Sequence, residues 1–139
     1  MAAQVEIQSS HVGEIGELFT LARASFGAEP GWDDARAVSA LERDTLFVAR
    51  VDESAAGYVA VRSVGDAMRI EQLFVAPHHE GEGVGRRLLA HAEGYAISTG
   101  ADALEIVVED DNDRAAAFYR RSGFVPAGGQ LYALRLPTG

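Results

Sequence analysis

Hydrophobic and polar positions divide the chain into short segments separated by Gly, Asp, Asn and Pro. Apolar residues alternate with polar ones, or run together for a few positions, in seven segments that predict strands; these are residues 5–8, 45–51, 58–64, 68–75, 103–109, 124–127 and 131–136. Apolar residues recur at helical spacing in four further segments, which predict helices; these begin near Ile15, Asp33, Val84 and Arg114.

The order of these elements predicts one α/β domain over residues 1–139, since a chain of 139 residues has the usual length of a single domain. Hairpins come first, and a strand–helix–strand crossover follows at the centre. We therefore expect a mixed, mostly antiparallel sheet of six to seven strands, with about four helices. Residues 124–136 are expected to close the chain as a hairpin across Gly128 and Gly129.

Composition excludes several classes of function. The net charge of −9, from 12 basic and 21 acidic residues, argues against nucleic acid and anionic membrane surfaces as partners. Without cysteine the chain has no thiolate nucleophile, and without lysine it has no Schiff base. No apolar run is long enough for a membrane helix and no basic residue precedes Arg23 to open a signal peptide, so a cytoplasmic location is expected.

Three glycines stand at alternate positions where a predicted strand passes into a helix, in LFVAPHHEGEGVGRRLL over residues 73–89. Glycines let backbone amides turn toward one point, and a helix N-terminus attracts anions, so this loop is a candidate phosphate site. A tight strand-to-helix turn would require the same glycines, and on the loop alone this alternative stays open. The spacing G-x-G-x-G differs from the dinucleotide fingerprint, and no Gly-Lys pair marks a P-loop.

A second motif, NDRAAAFYRRSGF, covers residues 112–124. Asn112 and Tyr119 are seven residues apart, which places them two turns apart on one face of the predicted helix. From the residues alone, a helix cap for Asn112 and a core aromatic for Tyr119 are the favoured interpretations. The neighbouring His78 and His79 predict no metal site, because adjacent side chains diverge and a third ligand is lacking.

Together the two motifs resemble those of the GNAT family of N-acetyltransferases. The glycine loop is similar to the family's acetyl-CoA loop, R/Q-x-x-G-x-G/A, and residues 112–124 match its N-x-x-A-x-x-F-Y-x-x-x-G-F pattern. The element order resembles that of the family along essentially the whole chain, which implies a GNAT fold. The chain departs from the pattern at Glu80, where the family usually has arginine or glutamine. A carboxylate near a pyrophosphate is unfavourable, so weakened but not abolished cofactor binding is expected.

The resemblance implies an enzyme that transfers acetyl from acetyl-CoA to a primary amine by direct attack in a ternary complex, without a metal. It implies Tyr119 as the general acid for the CoA thiolate and the Val75 backbone amide as the donor that polarises the carbonyl. Glu71 is the candidate general base, since it lies four residues before Val75 and shares its face of the strand unless a bulge intervenes.

The residues implied to contact the donor are Phe74, Val75, Gly81, Glu82, Gly83, Val84, Gly85, Arg86, Asn112 and Tyr119. The acceptor, a small-molecule or peptide amine, is expected to contact Phe26, Glu29 and Trp32, with Asp33 nearby and Tyr132 opposite. Family members often dimerise, so a homodimer is one expected assembly. The alternative function is a non-catalytic acyl-CoA-binding or regulatory module of the same fold.

Overall fold

The structure is a computed structural model that describes residues 5–10, 16, 19–20 and 44–137. Its seven strands and two α-helices have the following bounds: β1 Val5–Ser10, β2 Thr45–Val51, β3 Ser54–Val64, β4 Ala67–Val75, α1 Val84–Ser98, β5 Ala103–Val107, α2 Asp113–Arg121, β6 Val125–Pro126 and β7 Leu131–Arg135. A short 3-10 turn, Pro77–His79, lies between β4 and α1. Most of the predicted first helix and all of the predicted second helix lie outside the described residues.

The strands form one sheet in the order β1-β2-β3-β4-β5-β7-β6. Every neighbouring pair is antiparallel except β4 and β5, which are parallel. The helix α1 connects these two parallel strands, as a crossover requires. The predicted mixed, mostly antiparallel sheet is confirmed. The final hairpin is confirmed too, although β6 is only two residues long and ends at Pro126, which cannot donate to a ladder.

The core is divided between the two faces of the sheet. On the first face, α1 buries a stripe at helical spacing, formed by Val84, Leu88, Leu89, Ala92 and Ala96. The second face carries a smaller cluster of buried residues, made of Leu46, Val48, Tyr58, Ala60, Phe74 and Ala76. Among the helices that the structure describes, none is long and apolar enough to cross a membrane.

A β-bulge interrupts β4. Gln72 is opposite Ala60 and Ile70 is opposite Val61, so Glu71 is an extra residue with no partner in β3. Because of this insertion the alternation changes phase. Ile70 and Val75 both contact the first-face core, although they are an odd number of residues apart.

Close contact between β3 and β4 follows the bulge. Gly57 is opposite Val75, and a Cβ on Gly57 would overlap the carbonyl oxygen of Phe74. Only glycine lets the two backbones approach this closely, since every other residue carries a Cβ. Gly57 therefore holds the end of β4 against β3.

We predict that Gly57→Ala lowers the free energy of unfolding by roughly 1–3 kcal/mol, the usual cost of overpacking. The matched control is Gly94→Ala on α1, where an added methyl meets nothing within 4 Å. Removing this helical glycine is expected to raise the free energy of unfolding by about 0.5–1 kcal/mol. Urea denaturation of the two variants measures both changes, and equal stability of Gly57→Ala and the unchanged protein would contradict the predicted overlap.

Candidate active site

The strands β4 and β5 separate at the centre of the sheet. They pair from Ala67 to Ile70 on β4, whereas β4 continues to Val75 along β3. The Ala76 N–H donates to the Ala56 carbonyl of β3 at 2.8 Å. Because successive groups on a strand point to opposite sides, the N–H and C=O of Val75 point away from β3 and into the gap. The gap therefore contains a backbone donor of the kind predicted for Val75.

A cavity of about 690 Å³ lies beside this gap, on the first face of the sheet. The end of β4, the glycine loop, the start of α1 and one side of α2 form its walls. Of the residues expected to contact the donor, all except Glu82 line this cavity. Residues distant in sequence, such as Gly83 and Tyr119, are thus brought to one site.

The three glycines of the loop have two different roles. Gly81 and Gly83 have φ angles of 83° and 80°, in the left-handed region that glycine adopts without strain. These turns direct the chain into α1, whose N-terminus lies at the cavity. Gly85 is helical, and a Cβ there would lie 3.6 Å from both Phe118 and Val75. Gly85 accordingly keeps α1, α2 and β4 close together.

Arginine is concentrated in the cavity wall. Arg86, Arg114 and Arg121 line it, with Glu80 as the one carboxylate among the lining residues, although the chain as a whole carries a net charge of −9. The sequence analysis missed Arg114 and Arg121. They are seven residues apart on α2, which is the same two-turn spacing that related Asn112 to Tyr119.

Two other charged groups of the loop region turn away from the cavity. The neighbour of Arg86, Arg87, donates from Nη2 to the Val5 carbonyl at 3.4 Å. Glu82 lies outside the wall, with Oε2 3.0 Å from Nδ1 of His79.

Within the described residues, no group of three or more His, Asp or Glu side chains is placed to hold a metal ion.

Tyr119 is the buried residue of α2, with 5% of its surface exposed, and it lines the cavity. Phe118 and Phe124 contact its ring edge-on, with centroids 5.1 and 5.4 Å away. Burial disfavours the charged phenolate and raises the pKa of Tyr119 above its usual value. The hydroxyl group therefore stays protonated as a hydrogen-bond donor.

Asn112 caps α2 and also lines the cavity. Its Oδ1 accepts a hydrogen bond of 3.1 Å from the backbone N–H of Ala115. This satisfies one of the donors that the first turn of a helix leaves free. This hydrogen bond supports the interpretation of Asn112 as a helix cap. It also fixes the start of the helix that carries Tyr119.

Glu71 does not share the face of Val75, because the bulge that the sequence analysis named as the exception is present. Glu71 is the extra residue of the bulge and directly follows Ile70, which faces the same core as Val75, so alternation from Ile70 assigns Glu71 the opposite face. Its carboxylate oxygen is 2.8 Å from Nη2 of Arg62, and Glu71 is absent from the wall of the cavity. Glu71 therefore lies on the second face of the sheet.

The second face also holds a hydrogen bond that the sequence analysis missed. The hydroxyl group of Tyr58, a fully buried residue, donates to Oε1 of Gln72 at 2.7 Å. Burial raises the pKa of Tyr58 as it does that of Tyr119. The ring of Phe74 lies beside Tyr58, with centroids 5.9 Å apart, so Phe74 contacts the cavity from the end of β4 while its ring packs on this second face.

The residues expected to contact the acceptor cannot be compared with the structure in the same way. Phe26, Glu29, Trp32 and Asp33 lie outside the described residues. Tyr132 lies below the guanidinium of Arg120, 5.7 Å from its ring centroid, in a separate cavity of about 360 Å³. That cavity is on the opposite side of α2 from Tyr119.

Comparison with known proteins agrees with this geometry. The family model described as the acetyltransferase (GNAT) family matches residues 14–124, which is well over half of the chain. The chain belongs to the GNAT family. A GNAT relative, streptothricin acetyltransferase from Streptomyces lavendulae, is 36% identical over 104 residues, which cover 73% of this chain and 54% of the relative. The chain spans about half the length of the curated relatives it matches.

Solved GNAT structures have the same fold. The ribosomal-protein-S18-alanine N-acetyltransferase from Escherichia coli matches with a TM-score of 0.83 at 22% identity, covering 98% of this chain and 96% of that chain. The PaiA N-acetyltransferase from Thermoplasma acidophilum, solved in complex with coenzyme A, matches with a TM-score of 0.74 at 16% identity, covering 96% of this chain and 98% of that chain. At these identities the likeness shows the fold, and the predicted GNAT fold is confirmed.

We predict that Asn112→Ala lowers the free energy of unfolding by about 1 kcal/mol, because the first turn of α2 loses its cap. Asn112→Asp is the matched control, since aspartate caps a helix as well as asparagine does. Thermal and urea denaturation should show this difference. Equal losses of stability in the two variants would contradict a capping role for the Oδ1 atom.

Proposed function

We propose that the protein transfers an acetyl group from acetyl-CoA to the nitrogen of a primary amine, by direct attack in a ternary complex. The observation that carries this proposal is the cavity of about 690 Å³, which combines a glycine loop, three arginines and a buried tyrosine beside the opened sheet. The name of the relative from Streptomyces lavendulae supports acetyl transfer as the reaction. The acceptor is proposed to be a small molecule or a peptide.

The cavity and the adjoining gap suit the donor in charge and in hydrogen-bonding groups. The turns at Gly81 and Gly83, the N-terminus of α1 and the arginine side chains favour an anion such as the phosphates of acetyl-CoA. The pantetheine arm carries amide groups, and these can form hydrogen bonds with backbone groups in the gap between β4 and β5, as an added strand would. When bound there, acetyl-CoA supplies an activated acetyl thioester.

The Val75 N–H serves as the donor to the carbonyl oxygen of the thioester. It points into the gap because Val75 and Gly57 form a non-hydrogen-bonded pair in the antiparallel ladder between β3 and β4. A backbone donor held in a sheet needs little reorganisation as negative charge develops on that oxygen. The close approach at Gly57 keeps this donor in place.

Tyr119 supplies a proton donor at the sulfur. Its raised pKa lies above that of a thiol, about 8.5, so complete proton transfer to a free thiolate is uphill. The hydroxyl group therefore acts first by donating a hydrogen bond to the departing sulfur, which lowers the barrier to breaking the carbon–sulfur bond. Transfer of the proton to the sulfur is completed as solvent reprotonates the phenolate, which its high pKa favours.

The amine approaches from the second face of the sheet. The helices α1 and α2 and the donor cavity lie on the first face, so the acceptor is proposed to reach the gap from the opposite side. The bulge places Glu71 on that second face, next to Arg62. Glu71 is thus proposed to take up the amine proton, directly or through a water molecule.

We predict that Tyr119→Phe lowers kcat by roughly 10²–10⁴-fold, the range for loss of a general acid, with little change in acetyl-CoA affinity. Release of free thiol from acetyl-CoA with a mixture of primary amines measures turnover, and calorimetry measures affinity. Tyr95→Phe is the matched control, since Tyr95 packs on Phe47 with centroids 5.2 Å apart, outside the cavity. Full turnover of Tyr119→Phe would remove Tyr119 from the mechanism.

The raised pKa of Tyr119 also predicts the alkaline side of the pH profile. A hydroxyl group whose pKa lies above 10.0 remains a donor at lower pH, so its contribution is present below that pKa and is lost only above it. We expect Tyr119 to cause no fall in kcat/KM between about pH 8 and about pH 10. A falling limb in this range that disappears in Tyr119→Phe would contradict the expectation.

A further inference from the structure

The glycine loop carries two carboxylates, and each has a histidine or arginine side chain beside it. Glu82 is next to His79 in the same loop, as described above. Glu80 is next to Arg114 of α2, with Oε2 and Nη2 3.6 Å apart. The second pair connects opposite walls of the donor cavity, because Glu80 belongs to the loop and Arg114 to the first turn of α2.

The Glu80–Arg114 pair is exposed, and its two partners differ in what they can offer an anion. The Arg114 side chain is 87% exposed and that of Glu80 50% exposed, so the pair itself contributes little to stability. A guanidinium has five N–H donors, and one contact with Glu80 leaves the others available. Arg114 can therefore contact Glu80 and a phosphate at the same time.

We propose that Arg114 binds a phosphate of the acyl-CoA donor, and that Glu80 is the positioning residue that holds the guanidinium above the glycine loop. This inference rests on the proposed function. At Glu80 the GNAT motif usually has a side chain that can donate to phosphate, and here that donor comes from the opposite wall. The carboxylate is tolerated because a cation lies between it and the anion.

We expect Arg114→Ala to weaken CoA binding roughly 5- to 30-fold, the range for loss of one charge-assisted contact at an exposed site. The matched control is Arg120→Ala on the same helix, since Arg120 lies over Tyr132 on the side away from the donor cavity. Its affinity for CoA should stay within about twofold of that of the unchanged protein. Equal affinities of the Arg114 and Arg120 variants would overturn the proposal.

A double-mutant cycle tests the positioning role of Glu80. In the unchanged protein, Glu80→Gln should alter the Kd for CoA by less than about twofold, because lost positioning offsets lost repulsion. In the Arg114→Ala background the same substitution should tighten binding roughly 3- to 10-fold, because only repulsion is removed. The same effect of Glu80→Gln in both backgrounds would overturn the role of Glu80 as a positioning residue.

The binding of three ligands, CoA, dephospho-CoA and acetyl-pantetheine, shows which phosphate Arg114 contacts. Arg114→Ala should weaken the binding of CoA, while the binding of acetyl-pantetheine, which has no phosphate, should be unchanged. If Arg114→Ala also weakens the binding of dephospho-CoA, Arg114 contacts the pyrophosphate. If it weakens the binding of CoA but not of dephospho-CoA, Arg114 contacts the 3′-phosphate. An equal effect on acetyl-pantetheine would overturn the inference. A protein that binds CoA equally in every variant contradicts only this inference, whereas one that binds no CoA at all contradicts the proposed function as well.

Discussion

The separation of β4 from β5 is the constraint on which the rest of the site depends. β4 remains bound to β3 up to Val75, while its pairing with β5 extends only to Ile70. The bulge at Glu71 changes the phase and the local twist of β4 at this point. A continuous ladder would satisfy the Val75 N–H within the sheet and close the gap. The opened sheet thus provides both a backbone donor and room for a ligand.

The two faces of the sheet beside this gap carry different side chains. On the first face, α1 and α2 enclose a cavity with three arginines and Tyr119, in a chain whose net charge is strongly negative. The phase change at the bulge assigns Glu71 to the second face, beside Arg62. In the proposed function, the donor occupies the first face and the acceptor approaches the gap from the second.

Local patterns in the sequence were sufficient for most of the fold and for much of the site. The glycine loop and the face shared by Asn112 and Tyr119 depend on turn chemistry and helical period, which are properties of short segments. The face of Glu71 depends on an inserted residue, and alternation alone does not reveal where an insertion lies. The Glu80–Arg114 contact joins residues far apart in sequence, so it required the fold that brings α2 to the loop.

We propose that the gap and the cavity together bind an acyl-CoA, with its phosphates at the glycine loop and its pantetheine arm along β4. Calorimetric titration of the unchanged protein with acetyl-CoA, and with ADP in parallel, tests it most directly. ADP offers the pyrophosphate without the pantetheine arm, so we expect acetyl-CoA to bind with a Kd on the order of micromolar and ADP far more weakly. Equal affinities for the two ligands, or no heat with acetyl-CoA at about millimolar concentration, would contradict the account.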